Sequence, residues 1–400
     1  MLKGKTVVLA VSGSIAAYKI ASLASALGKL HADVQVLMTQ NATNFINPIT
    51  FETLTGNKCL VDTFDRNFQY SVEHVALAKR ADVVLVAPAS ANVIGKIANG
   101  IADDMLTTTV MACRCRKIIA PAMNTNMFQN PITQDNLQLL IKYGFEVIEP
   151  AVGRLACNDV GAGKMPSEEI LFSYIEREIS HEKDMDGLKV LVTAGATCEG
   201  IDPVRYITNY SSGKMGYALA KNCMLRGAEV TLITGNASVA PPPFVKVIQT
   251  VRAKEMFEAV KDHYSGQDII LKAAAVADFC PQKAAQEKIK KAGASMEIPL
   301  EKTDDILQWL GENRKPGQYI CGFSMETEKL VENSRLKLEK KKLDMIAANN
   351  LKVEGAGFQG DTNVVTLITE AEEHALPLMS KEETAEKLLD FLLCQREKKI

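Results

Sequence analysis

The densest run of chemistry-bearing residues is Thr193-Ala-Gly-Ala-Thr-Cys-Glu-Gly-Ile-Asp-Pro-Val-Arg-Tyr-Ile-Thr-Asn-Tyr-Ser-Ser-Gly-Lys-Met-Gly216. Its small residues let a backbone approach a ligand closely, and Arg205, Asn209, Ser211, Ser212 and Lys214 offer donors to an anion. The stretch follows the apolar run Lys189-Val-Leu-Val192 and leads into a helical pattern from Met215 to Leu225. A strand, a polar loop and a helix start, in that order, form the place where an open α/β sheet binds phosphates and nucleotides. This is not a Walker loop, which needs Gly at Thr208 and Ser or Thr at Met215.

Later segments supply what the loop lacks. Lys272-Ala-Ala-Ala-Val-Ala-Asp278 ends a strand with small residues, Ala274 and Ala275 among them, and one acid suited to a base edge, a ribose or a metal. Glu287-Lys-Ile-Lys-Lys291 places cations around Lys288, and Asp305-Ile-Leu307 adds an acid. Lys337 and Lys341 lie one helical turn apart and could both face a triphosphate, although a lysine run on a helix is usually a solvated face.

A second constellation occupies the N-terminal half. Ser12-Gly-Ser-Ile-Ala-Ala-Tyr-Lys19 follows the first strand-like run, so backbone N–H groups around Gly13, Ser14 and Ile15 could hold a phosphate at a helix start. Gly13 is all that is present of the three-glycine dinucleotide fingerprint, and the second strand ends in Met38-Thr39-Gln40 instead of an acid. That argues against NAD and for a mononucleotide cofactor or none. Pro88-Ala-Ser-Ala-Asn92, with Ser90 and Asn92, leaves room for a flat ring, and Pro121-Ala-Met-Asn124 ends the next strand. Ala156-Cys-Asn-Asp-Val-Gly-Ala-Gly-Lys-Met165 reads as a mobile flap carrying Cys157. His74 alone would be a surface or capping residue. With Asn124 and Cys157 it forms a set of base, carboxylate-binding amide and thiol acid beside a redox ring.

Strand-like runs at Thr6–Val11, Val34–Met38, Val83–Val86, Lys117–Ala120 and Phe145–Ile148 alternate with helical patterns at 15–30, 92–112 and 133–143. Such alternation predicts a parallel sheet covered by helices on both faces. After a charged linker within 175–187 it restarts, with strands at 189–192, 230–233, 245–248, 268–274, 319–323, 344–347 and 364–368. The expectation is two doubly wound, Rossmann-like α/β domains, 1–182 and 186–400.

Four hundred residues suit two cores of that size. With 47% hydrophobic and 24% charged residues the composition is that of an ordinary soluble globular protein. A net charge of -2 gives no support for a nucleic-acid partner, and no apolar run predicts a membrane span or a secretory signal. Nine scattered cysteines fit reduced thiols in a cytoplasmic protein, and Cys113-Arg-Cys115 lacks the second pair that a zinc site needs.

The first-half motifs resemble those of the flavin-dependent cysteine decarboxylases. His74, the Pro-Ala-Met-Asn motif ending in Asn124 and the flap with Cys157 match, in order and spacing, the N-terminal half of the bacterial bifunctional phosphopantothenoylcysteine decarboxylase/phosphopantothenate–cysteine ligases. Lys164 stands where that family usually has Arg, which keeps the charge and loses the bidentate geometry. Lys189–Gly195, Asp202-Pro-Val-Arg205, Asn209 and Ser211–Gly216 match the ligase half, with Thr303-Asp304 replacing the family's Asn-Pro before Asp305.

The resemblance implies a flavodoxin-like first domain that binds FMN through Gly13, Ser14, Ile15, Thr39, Ser90 and Asn92. His74 would assist oxidation and proton transfer, Asn124 would hold the substrate carboxylate or amide, and Cys157 would protonate an ene-thiolate. In the second domain it implies CTP bound by Ser211, Ser212, Gly213, Ala274, Ala275, Asp278, Lys288, Asp305, Phe323, Lys337 and Lys341. Mg2+ would sit on Asp278, and Lys288 and Asn209 would serve acyl-cytidylate formation and its attack by cysteine. Arg205 would hold a phosphate of the substrate. It further implies a homo-oligomer, a dodecamer built from trimeric decarboxylase and dimeric ligase contacts. Two alternatives share the scaffold: a flavin decarboxylase or prenyltransferase whose second half only senses a nucleotide, and a non-catalytic regulatory protein.

Overall fold

The hexad Thr-Val-Val-Leu-Ala-Val makes β1 (Thr6–Val11), buried along its whole length. A strand apolar on both faces belongs inside a parallel sheet with helices above and below. It lies there, in the order β2-β1-β3-β4-β5, with β2 (Asp33–Met38), β3 (Val83–Ala89), β4 (Arg116–Pro121) and β5 (Glu146–Val147) all parallel. This is the flavodoxin-like order, whose topological switch point falls between β1 and β3. Period-two alternation splits β1 between two cores. Val7, Leu9 and Val11 pack with Ile20, Leu23 and Phe51 on one face, and Val8 and Ala10 with Ile94, Leu106 and Leu140 on the other. Each large side chain buried this way contributes about 1.5–3 kcal/mol.

The computed structural model describes residues 2–64, 73–155, 160–290, 297–326, 329–350 and 360–399. It forms two units, Met1–His181 and Glu182–Ile400. A hairpin of β6 (Ala151–Arg154) and β7 (Val160–Lys164) completes the strands of the first.

Two helical expectations need correction. The pattern over 92–112 is two helices, Ala91–Ala98 and Met105–Ala112. Between them Gly100 takes φ 71°, and Asp104 opens the second helix with a capping box. Its Oδ1 accepts the Thr107 N–H (2.8 Å) while Thr107 Oγ1 accepts the Asp104 N–H (3.3 Å). The pattern over 15–30 opens as a 3-10 turn, Ile15–Ala17, before the helix Tyr18–Lys29.

In the second unit β8 (Lys189–Ala194) is again buried after its first residue. The long loop that follows contains a hairpin that its sequence did not announce, β9 (Cys198–Gly200) with β10 (Tyr206–Thr208). Then come β11 (Glu229–Thr234), β12 (Lys246–Gln249), β13 (Ile269–Lys272), a second hairpin of β14 (Phe279–Pro281) and β15 (Leu300–Lys302), β16 (Tyr319–Glu326) and β17 (Met345–Asn350). The main sheet runs β12-β11-β8-β13-β16-β17 in parallel. After the short β18 (Thr362–Asn363), β19 (Val365–Ile368) and β20 (Glu373–Ala375) extend that sheet antiparallel. A doubly wound sheet leads one to expect parallel strands here too, and the pairing of β19 with β20 has a local cause. The turn closed by the Thr369 N–H and the Glu372 carbonyl (3.0 Å) is too short for a crossover.

Candidate active sites

In the first unit the carboxyl ends of β1, β3 and β4 meet at the switch point. Ser12, buried after β1, donates to the Pro88 carbonyl (2.7 Å) and accepts the Ser90 N–H (2.9 Å), tying two loops together. Ser14 caps the 3-10 turn through the Ala16 N–H (3.3 Å), and Ser90 caps Ala91–Ala98 through the Val93 N–H (3.4 Å). Beside them opens a cavity of about 470 Å³ lined by Gly13, Ser14, Ile15, Ser90, Asn124 and Lys164. That size suits a small organic ligand. Asn124 is set at its edge as the cap of the short helix Thr125–Gln129, its Oδ1 accepting the Asn126 N–H (2.9 Å). Lys164 arrives on β7, held down where the Met123 N–H donates to the Gly163 carbonyl (3.0 Å).

Three residues expected at the flavin site lie elsewhere in this arrangement. Thr39 is a buried cap of the turn Gln40–Asn44, accepting the Ala42 N–H (3.2 Å). Asn92 is exposed on its helix, and His74, on the helix Glu73–Arg80, does not line the cavity. Cys157 lies outside the described residues. Sequence reasoning missed Tyr18, Lys19 and Arg154, which do line it. The first two end a motif already singled out, whereas Arg154 closes a short hairpin strand that left no periodic signal.

In the second unit two buried threonines, one at the end of β8 and one in the loop after it, staple the loop after β13 in place. Thr193 Oγ1 accepts the Ala274 N–H (3.2 Å) and Thr197 Oγ1 the Ala277 N–H (2.9 Å), while the Ala275 N–H donates to the Gly195 carbonyl (2.9 Å). Asn209 is drawn onto the same loop, its Nδ2 donating to the Ala275 carbonyl (3.1 Å). Thr303 secures the loop's far end, donating through Oγ1 to the Ala277 carbonyl (2.6 Å) and through its N–H to that of Asp278 (3.0 Å). So the Thr that replaces the family's Asn keeps a defined place.

Two cavities adjoin here. One of about 390 Å³ is lined by Asn209, Ser211, Ser212, Gly213, Ala274, Ala275, Asp278 and Phe323. The other, about 480 Å³, is lined by Asp278, Asp305, Phe323, Lys337 and Lys341. Lys272, Val276, Asp278 and Phe323 belong to both and form their common wall. Asp305 caps the helix Ile306–Asn313 through the Gln308 N–H (3.0 Å) and pairs with Lys341 (2.8 Å). Burial pushes its carboxyl up, but the Lys341 hydrogen bond and the cap outweigh that and hold it below the usual carboxylate range. Lys214, a donor that the loop motif offered, also lines the first cavity, as do Asn349, Asn363 and Lys381, which were missed; Lys381 opens the last helix in a surface-like charged run. Lys288 is exposed and lines neither cavity. Arg205 also stands outside them, its guanidinium engaged by Asp202 and by the Ile289 carbonyl (2.8 Å).

Lys272 carries the most perturbed cation of the cleft. Its Nζ donates to the Ala274 carbonyl (2.8 Å), and burial, then the nearby Lys341 charge, push its ammonium down to about 8. An unfolded lysine titrates near about 10.4. Between those values the unfolded chain binds more protons, so this group makes stability rise with pH from 8 upward, and below 8 its buried charge is a standing cost. Lys272→Met is expected to stabilise the protein at pH 7 by on the order of 1–3 kcal/mol and to flatten that rise. Thermal unfolding over pH 7–10 reads both effects; an unaltered slope would mean the ammonium is well solvated.

Residues 1–180 match the family model described as Flavoprotein, and residues 185–394 match that of the DNA/pantothenate metabolism flavoprotein C-terminal domain. The molecule is therefore a flavoprotein sheet followed by a pantothenate-metabolism domain, each with a cavity at its strands' carboxyl ends. Full-length relatives narrow this. The coenzyme A biosynthesis bifunctional protein CoaBC of Bacillus subtilis (strain 168) is 43% identical over 393 residues, 97% of either chain. Its namesake from Borreliella burgdorferi is 40% identical, covering 98% of this chain and 100% of the relative. That from Escherichia coli (strain K12) is 37% identical over 100% of this chain and 99% of its own. The chain belongs to the family of coenzyme A biosynthesis bifunctional proteins.

Proposed function

We propose that this chain catalyses two consecutive steps of coenzyme A biosynthesis. The second unit ligates cysteine to phosphopantothenate using CTP, and the first decarboxylates the resulting phosphopantothenoylcysteine to phosphopantetheine. The observation that carries this reading is kinship with bifunctional relatives along the whole chain, 97% of it at 43% identity, with a cavity in each half.

We read the second unit as a Rossmann-like nucleotide-binding domain. Its parallel strand order β12-β11-β8-β13-β16-β17 supports this, because the winding reverses between β8 and β13, beside the cleft. Ligation needs activation first, since a carboxylate would have to expel oxide. The phosphopantothenate carboxylate attacks the α-phosphorus of CTP, giving an acyl-cytidylate and pyrophosphate, and the cysteine amine then displaces CMP. Ser211, Ser212 and Gly213 would receive phosphate at the start of the helix Lys214–Leu225. Lys272, Lys337 and Lys341 would neutralise the triphosphate, with Lys288 reaching in from its loop. Ala274, Ala275 and Phe323 would border the nucleoside, and Asp305 would hold Lys341 in place. Among the described residues no three His, Cys, Asp or Glu side chains group into a metal site. Asp278 would therefore share Mg2+ with phosphate oxygens, as nucleotide-borne magnesium ordinarily is held.

The first cavity fits FMN. Gly13, Ser14 and Ser90 border it beside the starts of two helices, and at Gly13 a Cβ would stand 2.9 Å from the Asn41 Cβ, so only glycine lets this loop lie against the one after β2. Bound FMN would supply the reversible two-electron oxidation that lets carbon dioxide leave without an unstabilised carbanion. Asn124, its Oδ1 fixed by the Asn126 N–H, would bind the substrate carboxylate or amide, and Lys164 would add positive charge beside it. His74 and Cys157 would carry protons. For the assembly we infer a dodecamer with trimeric decarboxylase and dimeric ligase contacts. A cytoplasmic location accords with the described helices, none of which is long and apolar enough to cross a membrane.

Mass spectrometry of the protein incubated with phosphopantothenate, cysteine, CTP and magnesium tests the whole reading. Phosphopantetheine, pyrophosphate and carbon dioxide are expected together. Accumulation of phosphopantothenoylcysteine on FMN-loaded protein would confine activity to the second unit. No product at all would favour a regulatory protein.

A further inference from the structure

Lys288 lies on an irregular loop that begins after β14, exposed and outside both cavities of the second unit. No helix or strand fixes its backbone. Asp202 does so instead. Its side chain is 0% exposed, and its carboxylate gathers donors from two segments. Oδ1 accepts the N–H groups of Val204 (2.8 Å) and Arg205 (2.8 Å) from its own turn. Oδ2 accepts Arg205 Nε (2.9 Å), Arg205 Nη2 and, across 87 residues, the N–H of Ile289 (3.1 Å). Arg205 Nη2 also donates to the Ile289 carbonyl (2.8 Å), so both backbone polar groups of the residue next to Lys288 are taken by this pair. The loop's other end is tied where the Ala285 N–H donates to the Ile201 carbonyl (2.9 Å).

We propose that Asp202 is a positioning residue of the ligase: through Ile289 it fixes the root of the Lys288 side chain so that the ammonium reaches the phosphates of CTP. This rests on the ligase reading above and gives Asp202-Pro-Val-Arg205 a task inside the protein. The physical need is plain. A lysine is a point charge on a flexible four-carbon stem, so its delivery depends on where its Cα is held. A displacement of about 1 Å can cost a catalytic group about 100-fold in rate. The Arg205 guanidinium holds the Asp202 carboxyl well below the usual carboxylate range, so the clamp stays ionised throughout the neutral range. An amide at this position keeps the shape but loses the charge-assisted bonds, and one of its two polar atoms becomes a donor facing donors.

The test is a double-mutant cycle on the full-length protein, read as pyrophosphate release from CTP with phosphopantothenate and magnesium. Asp202→Asn is expected to lower kcat by about tenfold to 100-fold with little change in the KM for CTP. Lys288→Gln is expected to lower it further. Adding Asp202→Asn to Lys288→Gln is expected to change nothing more, because the residue being positioned is gone. Two losses that multiply would mark a merely structural role and overturn the proposal, as would a parental rate in Asp202→Asn. Absence of pyrophosphate release in the parent is a different result, and defeats the ligase reading itself. Calorimetric binding of CTP shows whether each variant's second unit is folded. Should Asp202→Asn not fold, Arg205→Lys enters the same cycle, since it keeps the charge and loses the two-armed grip on Asp202 and Ile289.

Discussion

Asn209→Asp is expected to release pyrophosphate at close to the parental rate while forming amide product about 100- to 1,000-fold more slowly. The side-chain nitrogen of Asn209 is fixed by the Ala275 carbonyl (3.1 Å), and the residue lines the first cavity of the second unit. A carboxylate there would set oxygen against the Ala275 carbonyl oxygen, two acceptors without a proton between them. On the proposed reading it would also bring negative charge to where an oxyanion would form when cysteine attacks the acyl-cytidylate. On the reading proposed above, formation of the acyl-cytidylate would be less exposed to the change, because its developing charge would rest on phosphates beside Lys272, Lys337 and Lys341, which line the adjoining cavity. Quantifying pyrophosphate and phosphopantothenoylcysteine separately, with mass spectrometry of the trapped acyl-cytidylate, separates the two steps. Full ligation by the variant would remove Asn209 from the mechanism.

Gly163→Ala is expected to cut decarboxylation by more than about 100-fold and to lower the FMN content of the purified protein, with ligation unchanged. Gly163 takes φ +126°, a backbone conformation that side-chain-bearing residues rarely adopt. A Cβ there would stand 2.4 Å from the Met123 carbonyl oxygen. No flexible side-chain end is available to give way, so either β7 or the loop 122–124 must shift. The backbone strain alone is worth about 1–3 kcal/mol. The shift would break the bond from the Met123 N–H to the Gly163 carbonyl, which lies between Asn124 and Lys164 on the cavity rim. Absorbance of bound flavin and release of carbon dioxide measure the loss, and pyrophosphate release in the same sample is the control. Parental flavin content together with a parental rate would show that the hairpin's seat against Met123 is not needed.

The sheets were legible because burial on both faces writes itself as unbroken apolar runs. β1 occupies the residues Thr6–Val11 that its composition predicts, and β8 follows the same logic. What escaped prediction rests on interactions that composition does not encode. Ile94, Ile97, Met105 and Leu106 belong to one core cluster, so the apolar pattern runs past the break at 99–104. The stop is written in Gly100 and the Asp104 cap instead. β9 and β10 are three residues each and lean on distant partners, as when the Cys198 N–H donates to the Val251 carbonyl (2.8 Å). Motifs singled out residues that line the cavities and others, such as Thr39 and Asn92, that do not. Asn209, Asp278 and Lys341 line cavities as their motifs suggest, whereas Arg154, Asn349 and Lys381 join them only because the chain folds back. Lys288 shows the converse limit, since a motif names a residue but not where an irregular loop leaves it.

The eight-stranded sheet of the second unit terminates in short strands at both ends, β12 with four residues and β20 with three. An open flank of a sheet presents unpaired N–H and carbonyl groups to any extended chain that drifts past. Here each flank is brief, and it bears charge or polarity: Lys246 and Gln249 on one side, Glu373 and His374 on the other, all exposed. A stray polypeptide finds few groups to pair with and must desolvate ions to reach them. The long apolar strands stay in the interior of the sheet, out of reach, which favours colloidal stability in a crowded solution.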